Sequence, residues 1–493
     1  MTEDRTDYAT VPRPSRPRPA PANAGAGWAI GITAAALAAL GLVALPSSSF
    51  SFDGLNGTGL LTLLLFAAAV AGWLHPRLDD THVALAAAAT AVLLGALDPD
   101  ALFATLGAEP IWLLIAAFVL AAGVNTTGLP ARLAIGLAAR ARGPRGLAHL
   151  ITLGVVLTAL LIPSTSGRAA LLVPLHRALG TAFEGRPRLV RALALLLPTT
   201  VLLSAVATLV GAGAHLITSE ILAATTGAGI GFAEWLLWGL PFAVVSSHLA
   251  AELVLLLTTD HAERRAPVRV DAAALRAELG VPEQRTRAEL RALLLLGGVV
   301  LLWSTEPLHG LPPALVALAG ALLITSPRIG VVKLGKAVGE IPWSLLLFMA
   351  ATAALGAALA ASGAATWLAD LALDEAEGTA LLIAVVVVST AAHLVVQSRS
   401  ARSSVLVPLV VAAALESGLN PVALAFASTA AAGFCHTLPS SAKPVAMFSR
   451  LDPPLACPPR DLLRLSALLA PLISALVVVF ALVVWPHLGL PLF

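Results

Sequence analysis

The sequence predicts an all-α integral membrane protein: an inverted repeat with 11 transmembrane helices, two re-entrant hairpins, and broken helices at the midplane. Three observations carry that prediction. Apolar residues come in long unbroken blocks, basic residues are confined to particular loops, and one Ser-x-Ser-x-Arg segment occurs twice.

The 493 residues are 58% apolar and 12% charged. A soluble domain carries about 25% charged residues. The apolar blocks start near Trp28, Gly59, Thr81, Ile111, Gly146, Leu189, Phe232, Leu290, Pro313, Ile341, Thr379, Pro408, Pro421 and Leu462. Unbroken apolar stretches of about 18 residues read as membrane spans. Residues 1–26 are Pro- and Arg-rich with nothing apolar to bury, which predicts a disordered cytoplasmic tail. Cys435 and Cys457 do not make a disulfide framework, and they receive no role.

Sidedness follows from the basic residues, because cytoplasmic loops are enriched in Lys and Arg. Arg5, Arg13, Arg16 and Arg18 mark the tail, and seven arginines from Arg264 to Arg291 mark the one long polar loop. Arg328, Lys333 and Lys336 mark another loop, as do Arg450, Arg460 and Arg464. The loops 46–58, 98–110, 226–233 and 304–311 have none. This pattern predicts a multi-pass protein of the plasma (inner) membrane with a cytoplasmic N-terminus and an outside C-terminus.

Alternation fails twice. The segment 146–180 has basic residues on both flanks, from Arg140 to Arg145 and from Arg177 to Arg188. The segment 379–418 has acidic flanks, with Asp370, Asp374, Glu375, Glu377 and Glu416. Each must enter and turn back, one from each side. The predicted organisation is a first repeat over 27–257, a cytoplasmic linker over 258–288, and a second repeat over 289–493.

The repeat is legible in residues as well. Residues 163–175 (PSTSGRAALLVPL) align without a gap on 397–409 (QSRSARSSVLVPL), with seven of 13 positions identical. Ser164, Ser166 and Arg168 pair with Ser398, Ser400 and Arg402. Downstream, two spans are interrupted at Gly211–His215 and at Leu438–Pro444. Broken helices in matching positions of two inverted halves point to a midplane substrate site.

Four cations remain inside the membrane's thickness: Arg168, Arg399, Arg402 and Lys443. Each would cost roughly 2.5–3.5 kcal/mol at the centre of a lone helix. No equal set of acids is near in sequence, so the natural counter-ion is an anionic cargo, which guanidinium forks match through paired hydrogen bonds. Ser164, Thr165, Ser166, Ser398 and Ser400 add neutral donors, and the return helix of each hairpin aims its N-terminus at the same point. An intramembrane Arg can also pair with a backbone carbonyl, and Lys443 can reach the cytoplasmic interface near Arg450. Gly211 and His215 sit in the first break; for His215, cargo or proton binding and a capping role stay open. His393 and His436 read as packing residues, and Trp112, Trp343, Trp235 and Trp238 as interfacial anchors.

With these residues in view, the chain resembles the divalent anion–sodium symporter family of dicarboxylate and sulfate carriers. Ser164-Thr165-Ser166 and Ser398-Arg399-Ser400 occupy the places of that family's Ser-Asn-Thr tip signatures, and Val173-Pro174 and Val407-Pro408 match the trailing proline. The resemblance implies a homodimer with the hairpins in a mobile elevator-type domain. It also implies sodium beside the tips, with Ser164, Thr165 and Gly211 as the candidates at the first. Both signature Asn are replaced, by Thr165 and Arg399, and Arg168 and Arg402 stand where the family has hydroxyl residues.

The expected function is secondary transport of small multivalent anions (dicarboxylate, sulfate or similar) as a sodium-independent exchanger. No catalytic residue, resident metal, cofactor or nucleic-acid partner is expected. An arsenite-type permease or a cation/proton antiporter of the same superfamily is the alternative, and would want intramembrane carboxylates. No His-Glu-x-x-His or Gly-x-Ser-x-Gly motif supports an enzyme.

Overall fold

The structure, a computed structural model, describes residues 51–52, 55–75, 77–373 and 378–493. The expected tail at 1–26, the apolar block from Trp28 and the charges at 374–377 lie outside the described residues. Six helices are long and apolar enough to cross a membrane: Gly57–Leu74, Pro99–Thr126, Pro187–Ala207, Phe232–Thr258, Trp343–Ala361 and Pro459–His487. Shorter apolar helices fill the gaps between them. A two-residue strand pair, Ser51–Phe52 with Leu55–Asn56, precedes the first described helix.

The main helices are α1 (Gly57–Leu74), α2 (Asp80–Leu93), α3 (Glu109–Thr126), α4 (Leu129–Ala138), α5 (Pro144–Leu161), α6 (Thr165–Ala182), α7 (Pro187–Leu203), α8 (Gly213–Thr226) and α9 (Phe232–Thr258). After the short linker helix α10 (Ala272–Glu278) the same series returns: α11 (Arg287–Ser304), α12 (Pro313–Ile324), α13 (Trp343–Ala361), α14 (Ala364–Leu373), α15 (Gly378–Ala391), α16 (Arg399–Glu416), α17 (Pro421–Ala431), α18 (Lys443–Ser449) and α19 (Pro459–Val479).

Local chemistry repeats with the helices. Gly128 (φ 76°) turns the chain into α4 and Gly363 (φ 73°) turns it into α14, a backbone state open to glycine at no steric cost. Pro187 opens α7 and Pro421 opens α17, where a missing N–H is harmless. The residues that lead into the second half of each broken helix share one extended geometry, Ala212 at φ −156°, ψ 149° and Ala442 at φ −154°, ψ 149°.

The two halves interlock. The return helix α6 packs on α18 of the other half, and α16 packs on α8. Likewise α3 packs on α12, and α2 on α13. The most apolar stretch of Pro187–Ala207 is 94% buried and lies in the interior, whereas that of Pro459–His487 is only 28% buried.

The linker is docked rather than free. Arg132 on α4 donates to the carbonyls of Pro282 (2.6 Å), Glu283 (3.1 Å) and Gln284 (3.0 Å) and pairs with Glu289, and α10 lies against α4 and α6.

Two of the four anchor tryptophans are core residues instead. Trp235 and Trp238 are buried; their Nε1 groups donate to the carbonyls of Val206 (2.9 Å) and Leu488 (3.0 Å). A helix of 27 residues with apolar residues on every face gives no sequence cue to which tryptophans face inward. Trp112 and Trp343 are half exposed.

Candidate functional site

The hairpin tips are helix N-termini closed by the paired serines. Ser164 caps α6, its Oγ accepting from the Gly167 N–H at 3.1 Å. Ser398 caps α16 in the same way, accepting from the Ala401 N–H at 3.3 Å. A Ser cap in extended backbone satisfies one orphan N–H of the first turn. Thr165, Ser166 and Ser400 follow in the first turns and are half-buried. Pro174 and Pro408 sit at equivalent places inside α6 and α16.

One turn past each cap an arginine points into the protein. Arg168 is 1% and Arg402 0% exposed. Arg168 donates from Nη1 to Ser204 Oγ (2.9 Å) and from Nη2 to the Val201 carbonyl (3.0 Å), at the C-terminal end of α7. Arg402 donates from Nη1 to the Phe434 carbonyl (3.4 Å), just past the end of α17. Each guanidinium therefore faces the negative end of the first half of a broken helix, a favourable place for a cation.

Arg399 belongs to neither half alone. It lies at the second tip, yet its Nη1 makes a long 3.5 Å contact with the Leu202 carbonyl of the first half. Its Nη2 lies where a Cβ on Gly433 would come within 2.7 Å. Arg168 and Arg402 are both within electrostatic range of it.

These contacts leave much of the donor capacity unused. Arg168 Nε, Arg399 Nε and Nη2, and Arg402 Nε and Nη2 are buried with no protein acceptor. Among the described residues, the ion pairs are formed by Arg132, Arg145, His149, Arg186, Arg188 and Arg191, and none by the tip arginines. Unpaired buried cations are expensive in isolation.

The first break brings Gly211 and His215 to the same region. A Cβ on Gly211 would lie 2.0 Å from the Ala205 carbonyl oxygen, so only glycine fits that turn. His215 is fully buried; its Nδ1 bonds the Thr208 carbonyl (2.9 Å) and its ring stacks on Trp235 (centroids 4.9 Å apart). Its Nε2 has no protein partner. Gly213, at the start of α8, faces Ser400: a Cβ there would be 3.3 Å from its Oγ. His393 bonds the Thr390 carbonyl and Thr437, and His436, also buried, leaves Nε2 unpaired.

Lys443 stands apart from this group. It starts α18 and is exposed, not buried with the arginines. A helix that begins after a break can turn its first side chain outward, and a long ammonium stem follows water.

Sequence reasoning missed one acid. Asp80, in the first turn of α2, is half-buried; its carboxylate lies near the Ser398 hydroxyl and within electrostatic range of Lys443. The Asp79-Asp80 pair reads as helix capping, and Asp79 does cap α2. Only the packing of α2 across the molecule brings Asp80 to the second tip.

A cavity of about 20 Å³ between α4, α5 and α6 reaches Arg168 and is lined by Ile151, Thr158 and Leu172. That is room for about one water. Among the described residues no three His, Cys, Asp or Glu side chains gather as a metal-ligand group.

Comparison with known proteins agrees with this architecture. A membrane protein from Cupriavidus necator is 24% identical over 404 residues, covering 76% of each chain. The Alcanivorax borkumensis YdaH transporter has a similar fold, with a TM-score of 0.50 and 19% identity over 87% of this chain and 99% of that one. Neisseria gonorrhoeae MtrF, described as one of a class of antimetabolite efflux pumps, gives 0.49 and 12% over 90% and 98%. The narrower likeness to divalent anion–sodium symporters rests on the sequence resemblance alone. The citrate transporter family matches residues 63–431, so this chain, a multi-pass membrane transporter and not an enzyme, belongs to the citrate transporter family.

Proposed function

We propose that the protein is a secondary carrier of citrate and similar polycarboxylates, binding them between the two hairpin tips at Arg168, Arg399 and Arg402. The observation that carries this reading is the set of buried guanidinium N–H groups with no protein acceptor. A carboxylate-rich anion supplies paired acceptors for such forks. Ser164, Thr165, Ser166, Ser398 and Ser400 supply neutral donors, with Gly211 and His215 at the wall; Lys443 guides anions at the rim. The family's name and the chemistry of the donors agree on the class of cargo.

Sodium has little place in this scheme. Arg399 holds a position that sodium would need at the second tip, and a guanidinium has no lone pair with which to ligate a cation. A cation 4 Å away would be repelled by about 4 kcal/mol at an effective dielectric near 20. Fixed positive charge makes the empty carrier costly to move and the loaded one easier, which favours exchange of one anion for another. An elevator displacement of the hairpins in a homodimer of the plasma membrane, with eleven spans, two opposed hairpins, N-terminus inside and C-terminus outside, fits the interlocked halves.

Proteoliposome uptake of labelled citrate tests this. The expected result is uptake stimulated by internal citrate and indifferent to sodium. Robust uptake into anion-free vesicles under a sodium gradient would overturn exchange, and no saturable uptake of any polycarboxylate would overturn the cargo.

A further inference from the structure

Away from the tips, the first turns of α5 and the last turns of α9 share a chain of titratable groups that anion binding does not use. His149 Nδ1 lies 2.8 Å from His248 Nδ1, and the two rings stack with centroids 5.0 Å apart. On its other side, His149 Nε2 lies 2.5 Å from Glu252 Oε1, which also accepts from Arg145 Nε at 2.5 Å. The side chains of His149 and Glu252 are about 30% exposed, so the chain of groups reaches the protein surface.

The hydrogen bonds fix where protons can sit. Glu252 as acceptor makes His149 donate from Nε2, which leaves His149 Nδ1 bare in the neutral ring. The facing His248 must then donate from Nδ1. One further proton is accommodated at the bare His248 Nε2 without breaking any contact. A second has only His149 Nδ1 left, where it meets the N–H of His248. Two cationic rings then face each other across the helix contact, with the Glu252 carboxylate, already paired with Arg145, to balance them. Six arginines on the surrounding elements are engaged elsewhere. Arg132 pairs with Glu289, Arg186 with Glu263, Arg188 with Asp260 and Arg191 with Asp461. Arg140 donates to the Gly136 carbonyl, and Arg264 to those of Leu255 and Thr259.

We propose that the His149–His248–Glu252 chain is a proton-operated latch, which holds α5 against α9 while the pair carries one proton or none and releases the first hairpin when it carries two. The latch regulates the carrier from the arginine-rich face and does not depend on which anion is carried.

Hydrogen exchange of the full chain in lipid nanodiscs tests it. Rates are corrected for the intrinsic pH dependence, with α13 as internal reference. Lowering pH from about 7 to about 5 should raise exchange in α5 about tenfold in the wild type, because local opening controls amide protection. His248→Gln and His149→Gln should each abolish that rise, and if one variant does not fold the other carries the comparison. No pH response in the wild type, or an equal response in a folded variant, overturns the proposal.

Discussion

Arg168 and Arg399, on the return helices of two different hairpins, reach the carbonyls of consecutive residues, Val201 and Leu202. One helix end thus gathers a cation from each half of the chain. The arrangement places the first tip and the second tip around the same point, and makes the C-terminus of α7 the floor of the candidate site.

Removing a guanidinium there should weaken anion binding. Arg168→Ala and Arg402→Ala are each expected to cost about 2–5 kcal/mol in citrate affinity, as for a desolvated charge contact. Lys at either position should not restore binding, because an ammonium lacks the planar fork. Thermal shift with graded citrate measures both; unchanged shifts in the Ala variants would remove these residues from the site.

Gly433→Ala tests Arg399 without touching it. The added methyl would lie 2.7 Å from Arg399 Nη2 and 2.9 Å from the Ala430 carbonyl. We expect the guanidinium to be displaced and citrate affinity to fall about tenfold, or about 1.4 kcal/mol. Gly211→Ala, by contrast, meets backbone at 2.0 Å and should lower Tm with or without ligand.

Asp80 lies near the Ser398 hydroxyl, which the proposed site offers to cargo. Asp80→Asn should tighten citrate binding about fivefold, roughly 1 kcal/mol, in calorimetric titration. Weaker binding would instead make Asp80 a group that positions the second tip.

Cys457, in the loop before α19, is buried, and burial with the nearby Asp461 carboxylate pushes its thiol up to about 12. Only the thiolate is nucleophilic. In the folded protein Cys457 should resist iodoacetamide at pH 8 and react after denaturation, as peptide mass spectrometry would show. Rapid labelling without denaturant contradicts the burial.

The sequence by itself determined the class of protein, the places where its helices break and the residues at the hairpin tips. Apolar block length, and the Ser-x-Ser-x-Arg recurrence are local properties, and they survive without coordinates. The expected hairpins over 146–180 and 379–418 compare with helix pairs at Pro144–Ala182 and Gly378–Glu416. Tertiary structure decided what each charge faces. Lys443 and Arg402 look alike as lone cations among apolar residues, yet one is exposed and the other fully buried. Asp80 reads as a helix cap until α2 is packed against the second half. Trp235 and Trp238 read as interface residues until α9 is packed against the end of α7 and the chain near Leu488. In a chain so uniformly apolar, hydropathy sets the depth of a helix in the membrane but not its rotation. Rotation is fixed by interhelical packing and by the need of each buried polar group for a partner.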